Sequence, residues 1–190
     1  MAYDALAESF VLIEGGVPDA PARLSRRRRF AALAVDVDGD VACTCFARRG
    51  VGSVVQETWV LVRRGQEWVL LGGGGGGLER DDLADRPVAA ALGGPVALTG
   101  GGSVLRDGGR LLPWGARHAS YATLRASREV DRLRVGARLL AVPRHGHLVV
   151  VWAGQRPPTA DALAGDGRPL ASLRLDLRSP RLPEVYRDPG

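Results

Sequence analysis

Three histidines and two cysteines are the side chains of this sequence best suited to catalysis or metal binding. His145 and His147 stand two apart in "PRHGH". On a strand such a pair points to one face, and with His118 from a neighbouring strand it could grip a metal ion. The same five residues also read as a turn, with Gly146 supplying a positive φ and the histidines forming a polar hairpin tip. Cys43 and Cys45 flank Thr44 without the second pair that a zinc ribbon needs. At that spacing their β-carbons diverge too far for an unstrained disulfide, so both read as small core residues. Cys43 joins a catalytic pool with the histidines only if a His or a cation stands beside it.

The stretch "WVLLGGGGGGLER", Trp68 to Arg80, satisfies a dinucleotide fingerprint trivially, because every position of its core is Gly. That fingerprint has meaning only in a strand-turn-helix unit with an acidic residue about 20 positions on, and a short charged segment follows here instead. A nucleoside-triphosphate loop needs Lys, and the chain has none. The run therefore reads as a connection in which missing β-carbons let backbones approach. "GVGSVV" around Ser53 lacks the final Gly of a nucleophile elbow. The acidic residues fall in turns or in the charged segment after the glycines and form no spaced catalytic pair. No cofactor is implied.

The densest charge is "SRRRRF", where Arg26, Arg27, Arg28 and Arg29 could meet a phosphate backbone or an acidic protein. Net charge is +5 and the pI about 10.2, yet all 26 basic residues are Arg and there is no Asn. That pattern is the coding bias of a GC-rich, actinobacterial-type genome, which raises the pI without any ligand. No aromatic residue interleaves with the arginines to stack bases, so a protein partner, or a second copy, ranks ahead of nucleic acid. Trp59, Trp68 and Trp152 lie in strand patterns and read as core. Trp114, between Pro113 and Gly115, is the tryptophan that reads as surface binding.

The elements that must place these residues are mostly strands. Tyr3, Leu6, Ala7, Phe10 and Val11 share one face of a short opening helix, with Asp4, Glu8 and Ser9 opposite and Glu14–Gly16 as its stop. From Phe30 the period becomes two, and four strands in a meander account for residues 30 to 71. A three-residue turn over Asp38–Asp40 sets Val37, Val35 and Leu33 opposite Val41, Cys43 and Cys45, collecting apolar residues on one face. Residues 72–95 read as a Gly-rich, charged linker. About seven strands follow over 96–178, with hairpins expected on Asp107–Gly109 and on Pro143–Gly146, and residues 179–190 read as a loosely held tail.

The segment His147–Leu175 resembles the last strands of an immunoglobulin-like domain, a similarity of fold alone. A helix followed by a meander ending "RRGQEWVLL" resembles, over residues 1–71, the last part of the cone-shaped nuclear-transport-factor-like domains. That resemblance implies a small-molecule enzyme or binding protein, although the further helices that close the cone are missing.

The expected fold is mainly β: a short helix with an antiparallel meander over residues 1–71, then an immunoglobulin-like sandwich. No apolar run reaches the 18 residues of a membrane span, and "MAYDALAESF" lacks a basic region before an apolar one, so the cytoplasm is the default location. The expected function is a non-enzymatic protein-interaction or assembly module. The alternative is a small-molecule or metal-binding enzyme using His118, His145 and His147, and the third is Arg-mediated nucleic-acid binding.

Overall fold

The computed structural model describes residues 4–18, 21–78, 83–106 and 117–177. In chain order the elements are α1 (Ala5–Gly15), β1 (Phe30–Asp38), β2 (Val41–Arg49), β3 (Val54–Arg64), β4 (Glu67–Leu78), α2 (Ala89–Leu92), β5 (Val96–Leu105), β6 (His118–Ala126), β7 (Arg132–Val135), β8 (Arg138–Ala141), β9 (His147–Trp152), β10 (Thr159–Leu163) and β11 (Pro169–Arg174). The chain is mainly β, as its period-two patterning requires. Three antiparallel sheets form: a first sheet in order β1-β2-β3-β4, a middle sheet β5-β6-β9, and a third sheet β11-β10-β7-β8.

The sheets stack through two apolar layers. The first joins Val41, Cys43, Val60 and Val62 of the first sheet to Ala119, Tyr121, Val149 and Val151 of the middle one. The second joins Leu124, Val150 and Trp152 of the middle sheet to Leu133, Val135, Ala160 and Leu175 at the third. A sheet covered on both faces needs apolar residues at every position. Hence all six residues of β9, "HLVVVW", are buried. In β2, "VACTCFA" is likewise buried throughout, because α1 covers the face turned away from the middle sheet.

Asp4 opens α1 by accepting from the Leu6 and Ala7 N–H groups at 3.0 and 3.2 Å. Gly16, at φ +74°, closes it. The helix is turned relative to the expected face: Ser9 and Leu12 are the buried residues and Val11 is 64% exposed. Ser9 Oγ lies 2.7 Å from Thr44 Oγ1, so two buried hydroxyls satisfy each other and anchor α1 on β2.

The meander forms as expected, but its first register differs. The turn is Gly39–Asp40, with Gly39 at φ +61°, and the pairs are Asp38↔Val41 and Asp36↔Cys43. A bulge at Leu33 then sets Ala34 opposite Cys45. Counting apolar residues per face favours the other register, but that count assigns Asp36 to solvent, and Asp36 is only 3% exposed. Its carboxylate accepts from Arg138 Nη1 and, at 2.9 Å, from the Val151 N–H. Arg138 Nη2 donates to the Val151 carbonyl at 3.0 Å. These bonds tie β1, β9 and β8, one strand from each sheet.

Two further expectations fail. The glycine run is not a connection: Gly72–Gly77 are strand, paired with Val60 through Val55 of β3. The segments around Pro143–Gly146 are not a hairpin, because β8 pairs with β7 and β9 with β6. The Asp107–Gly109 hairpin and Trp114 lie outside the described residues. Among the described residues seven strands, β5 to β11, lie between 96 and 174.

Burial raises the Asp36 pKa, and Arg138 opposes that rise. Arg138→Met leaves a buried carboxylate without its cation, a loss of about 3 kcal/mol at neutral pH. Without Arg138 the folded carboxyl takes its proton at higher pH, so urea unfolding should show this deficit shrinking as the pH falls toward 4. A deficit equal at both pH values would contradict the assignment.

Candidate functional site

The facing surfaces of the first and middle sheets change character along their length. Toward the β1–β2 turn they present Val41, Val62 and Val151. At the other end the inward register positions are Gln56 and Thr58 on β3, Thr123 and Arg125 on β6, and His147 on β9, where His147 is the strand partner of Arg125. Side chains that hydrogen-bond rather than interlock leave the layers apart, and a cleft of about 660 Å³ opens there. One wall is backbone alone, Gly75–Gly77 of β4 and Gly100–Gly101 of β5, and Pro87, Ala91 and Leu92 close its apolar side.

The buried polar residues of the molecule concentrate at this end. Arg125 is 5% exposed, His147 4% and His145 3%. The Arg125 guanidinium can only donate, so in its bond with His147 the Nε2 atom accepts. His145 Nδ1 accepts from the His147 backbone N–H at 3.1 Å. The turn that sets the two rings 5.5 Å apart and tilted by 38° depends on Gly146. Its φ is +77°, and a β-carbon there would stand 2.5 Å from the Ala126 carbonyl oxygen. The positive φ read from the sequence is present, but the histidines are buried rather than held at a solvated tip.

Beside the cleft, and sharing Asp85 with it, lies an outer hollow of about 480 Å³. Its floor is Ala22, Leu24, Val54 and Leu83, and Arg23, Arg49 and Arg144 stand around it with His145. Asp85 is held by Arg144 at 3.1 Å. The arginine run follows Arg23 and Leu24 of this hollow in the chain without lining it. Ser25 Oγ accepts from the Arg28 N–H at 2.9 Å to shape the run into a turn, and the Arg29 carbonyl accepts from the Arg49 N–H at 2.8 Å. Arg26, Arg27, Arg28 and Arg29 are all exposed.

His118 does not join the other histidines. It begins β6, seven residues from Arg125, which at strand rise is about 23 Å away. Among the described residues no three of His, Cys, Asp and Glu gather as a metal site would need. Cys43 and Cys45 are free and fully buried. Burial holds the Cys43 thiol pKa well above its usual value, and pushes that of Cys45 up to about 11 against hydrogen bonds from Gln56 and Thr58. Thiols held protonated are poor nucleophiles. Sequence reading missed Arg125, although the signal was present: an arginine continues the inward face of Ala119, Tyr121 and Thr123. It also missed Arg23, Arg49 and Arg144, which are scattered singly through the chain.

Comparison with known proteins finds no matching family model, curated protein or solved structure.

Burial first, then the Arg125 and Arg86 cations, push the His145 pKa from 6.5 down to about 4. The unfolded chain therefore takes up this proton at higher pH than the folded one. The stability from a neutral, buried His145 is fully present above pH 6.5 and is lost as the pH falls toward 4, on the order of 3 kcal/mol. Urea unfolding across that range should show a shallower decline for His145→Gln than for the wild type, and parallel declines would exclude this role. Iodoacetamide should label neither cysteine in the folded protein and both in urea. Rapid labelling of the native chain would contradict their burial.

Proposed function

We propose that the protein is a non-enzymatic interaction module of a GC-rich bacterium, working in the cytoplasm, whose arginine-bordered hollow receives an acidic segment of another protein or of a second copy. The observation that carries this reading is the convergence of Arg23, Arg49 and Arg144 from three separate segments around one apolar floor, with the exposed Arg26–Arg29 turn joined to Arg49 through the Arg29 carbonyl. An oily floor inside a cationic rim suits a peptide that alternates carboxylates with apolar side chains. The planar guanidinium fork adds directional pairing with carboxylates.

The immunoglobulin-like reading of the last seven strands draws support from their order. Counted from β5, one sheet holds the first, second and fifth strands, and the other holds the fourth, third, sixth and seventh. Constant-type immunoglobulin domains place the fourth strand with the first, second and fifth, so this sandwich would be a variant with that strand switched between sheets. Its first-second-fifth sheet also carries the meander on its other face.

Rim charges contribute about 0.5 kcal/mol each, so removing three of them costs about tenfold in affinity. A labelled Glu/Leu-alternating peptide should bind in fluorescence anisotropy, and Arg23→Gln, Arg49→Gln and Arg144→Gln together should weaken it by that factor. Unchanged binding by the triple variant would refute the reading. Tighter binding of a single-stranded oligonucleotide of equal charge, falling steeply with salt, would replace it with nucleic-acid recognition.

A further inference from the structure

We infer that the inner cleft is a second binding site, separate from the arginine-bordered hollow, for a small molecule carrying a carboxylate or phosphate group. The cleft is built by what its walls lack. Among the described residues β4 and β5 are both sheet edges, each hydrogen-bonded to a strand on one side only, and they pack against each other where both carry glycine. At one end of this seam the fit is tight: the Tyr121 ring fits between the two strands, so that a β-carbon on Gly74 would meet its hydroxyl and one on Gly102 would stand 3.0 Å from its Cε1. At the other end it is open, with no atom within 4 Å of a β-carbon placed on Gly76. Gly76 is the register partner of Gln56, which lines the cleft, so its missing side chain leaves space inside the cleft. Gly77 has equally open surroundings but pairs with Val55, on the opposite face.

The chemistry around that space favours an anion. Arg125 supplies a buried guanidinium, with the Thr123, Thr58 and Tyr121 hydroxyls along the wall. Asp85 at the mouth is engaged by Arg144. A guanidinium in a partly desolvated site binds carboxylate or phosphate oxygens through two parallel N–H groups, while the hydroxyls and open strand edges serve the polar body of a ligand. The volume, about 660 Å³, lies within the range of small-molecule sites.

Isothermal titration with D-glucuronate, inorganic phosphate and D-glucose tests this assignment on the full chain. One or both anions should bind, and the comparison between them decides which group the site prefers, while glucose should bind at least tenfold more weakly. Gly76→Leu fills the open space and should weaken the anion at least tenfold. Leu70→Val, which pairs with Leu61 on the outer face of the same strand and lies outside the cleft, should leave affinity unchanged, which separates blockade of the cleft from damage to β4. The Arg23→Gln, Arg49→Gln double variant of the outer hollow, which leaves Arg144 on Asp85, should also bind normally, so failure of one site does not imply failure of the other. Absence of binding by either anion, equal binding of glucose, or full affinity in Gly76→Leu would overturn the proposal.

Discussion

The Asp36 carboxylate lies where three sheets meet, and the layered architecture depends on its bonds. It sits on β1, accepts the Val151 N–H of β9 and is gripped by Arg138 of β8. Both β1 and β9 are edges of their own sheets, so their backbone groups need partners where the two strands come together. A side-chain carboxylate fills that need on one strand, and the guanidinium fills it on the other by donating to the Val151 carbonyl. Burial outweighs the attraction of Arg138 in setting the pKa of Asp36. The pair therefore adds little net stability over an apolar substitute, and what it contributes is the angle and register at which the sheets meet.

The opposite seam is made differently. There β4 meets β5, and both strands carry glycine where they approach. Without side chains the strands can draw in until Tyr121 fits between Gly74 and Gly102. Beyond that point no side chain fills the gap, and the layers part around Arg125 and His147. One seam closed by charge and the other lined by glycine give a sandwich that is shut at one end and open at the other. The β8–β9 connection reaches the open end, placing Arg144 and His145 at the hollow and His147 at the cleft, and Asp85 borders both.

Much of the fold was legible because burial follows the period of two. The short opening helix, the four-stranded meander and the mainly β character of the rest follow from alternation and period. Alternation failed where a polar residue found a partner far along the chain. Asp36 and Arg138 are 102 residues apart, and Ser9 and Thr44 are 35 apart, so nothing local marks them as buried. Glycine was misread as connection because its weak strand preference hides a strand whose partner, β3, supplies the order. β8 and β9 looked like a hairpin because a turn joins them, although sheet membership is decided by what each strand packs against. Of the candidate site, Arg26–Arg29 and the His145–His147 pair were visible as motifs. The single arginines that complete each cavity were not, because their proximity is a product of topology.

Amide hydrogen exchange measured residue by residue in the native state tests the contrast between the two seams most directly. The Val151 amide should exchange among the slowest in the protein, since a buried carboxylate holds it. The amides of Gly72–Gly77 that point away from β3 should exchange faster by orders of magnitude than those of β2. A fast Val151 amide, or uniform protection along both edges of β4, would show that the layers are not held in the way described.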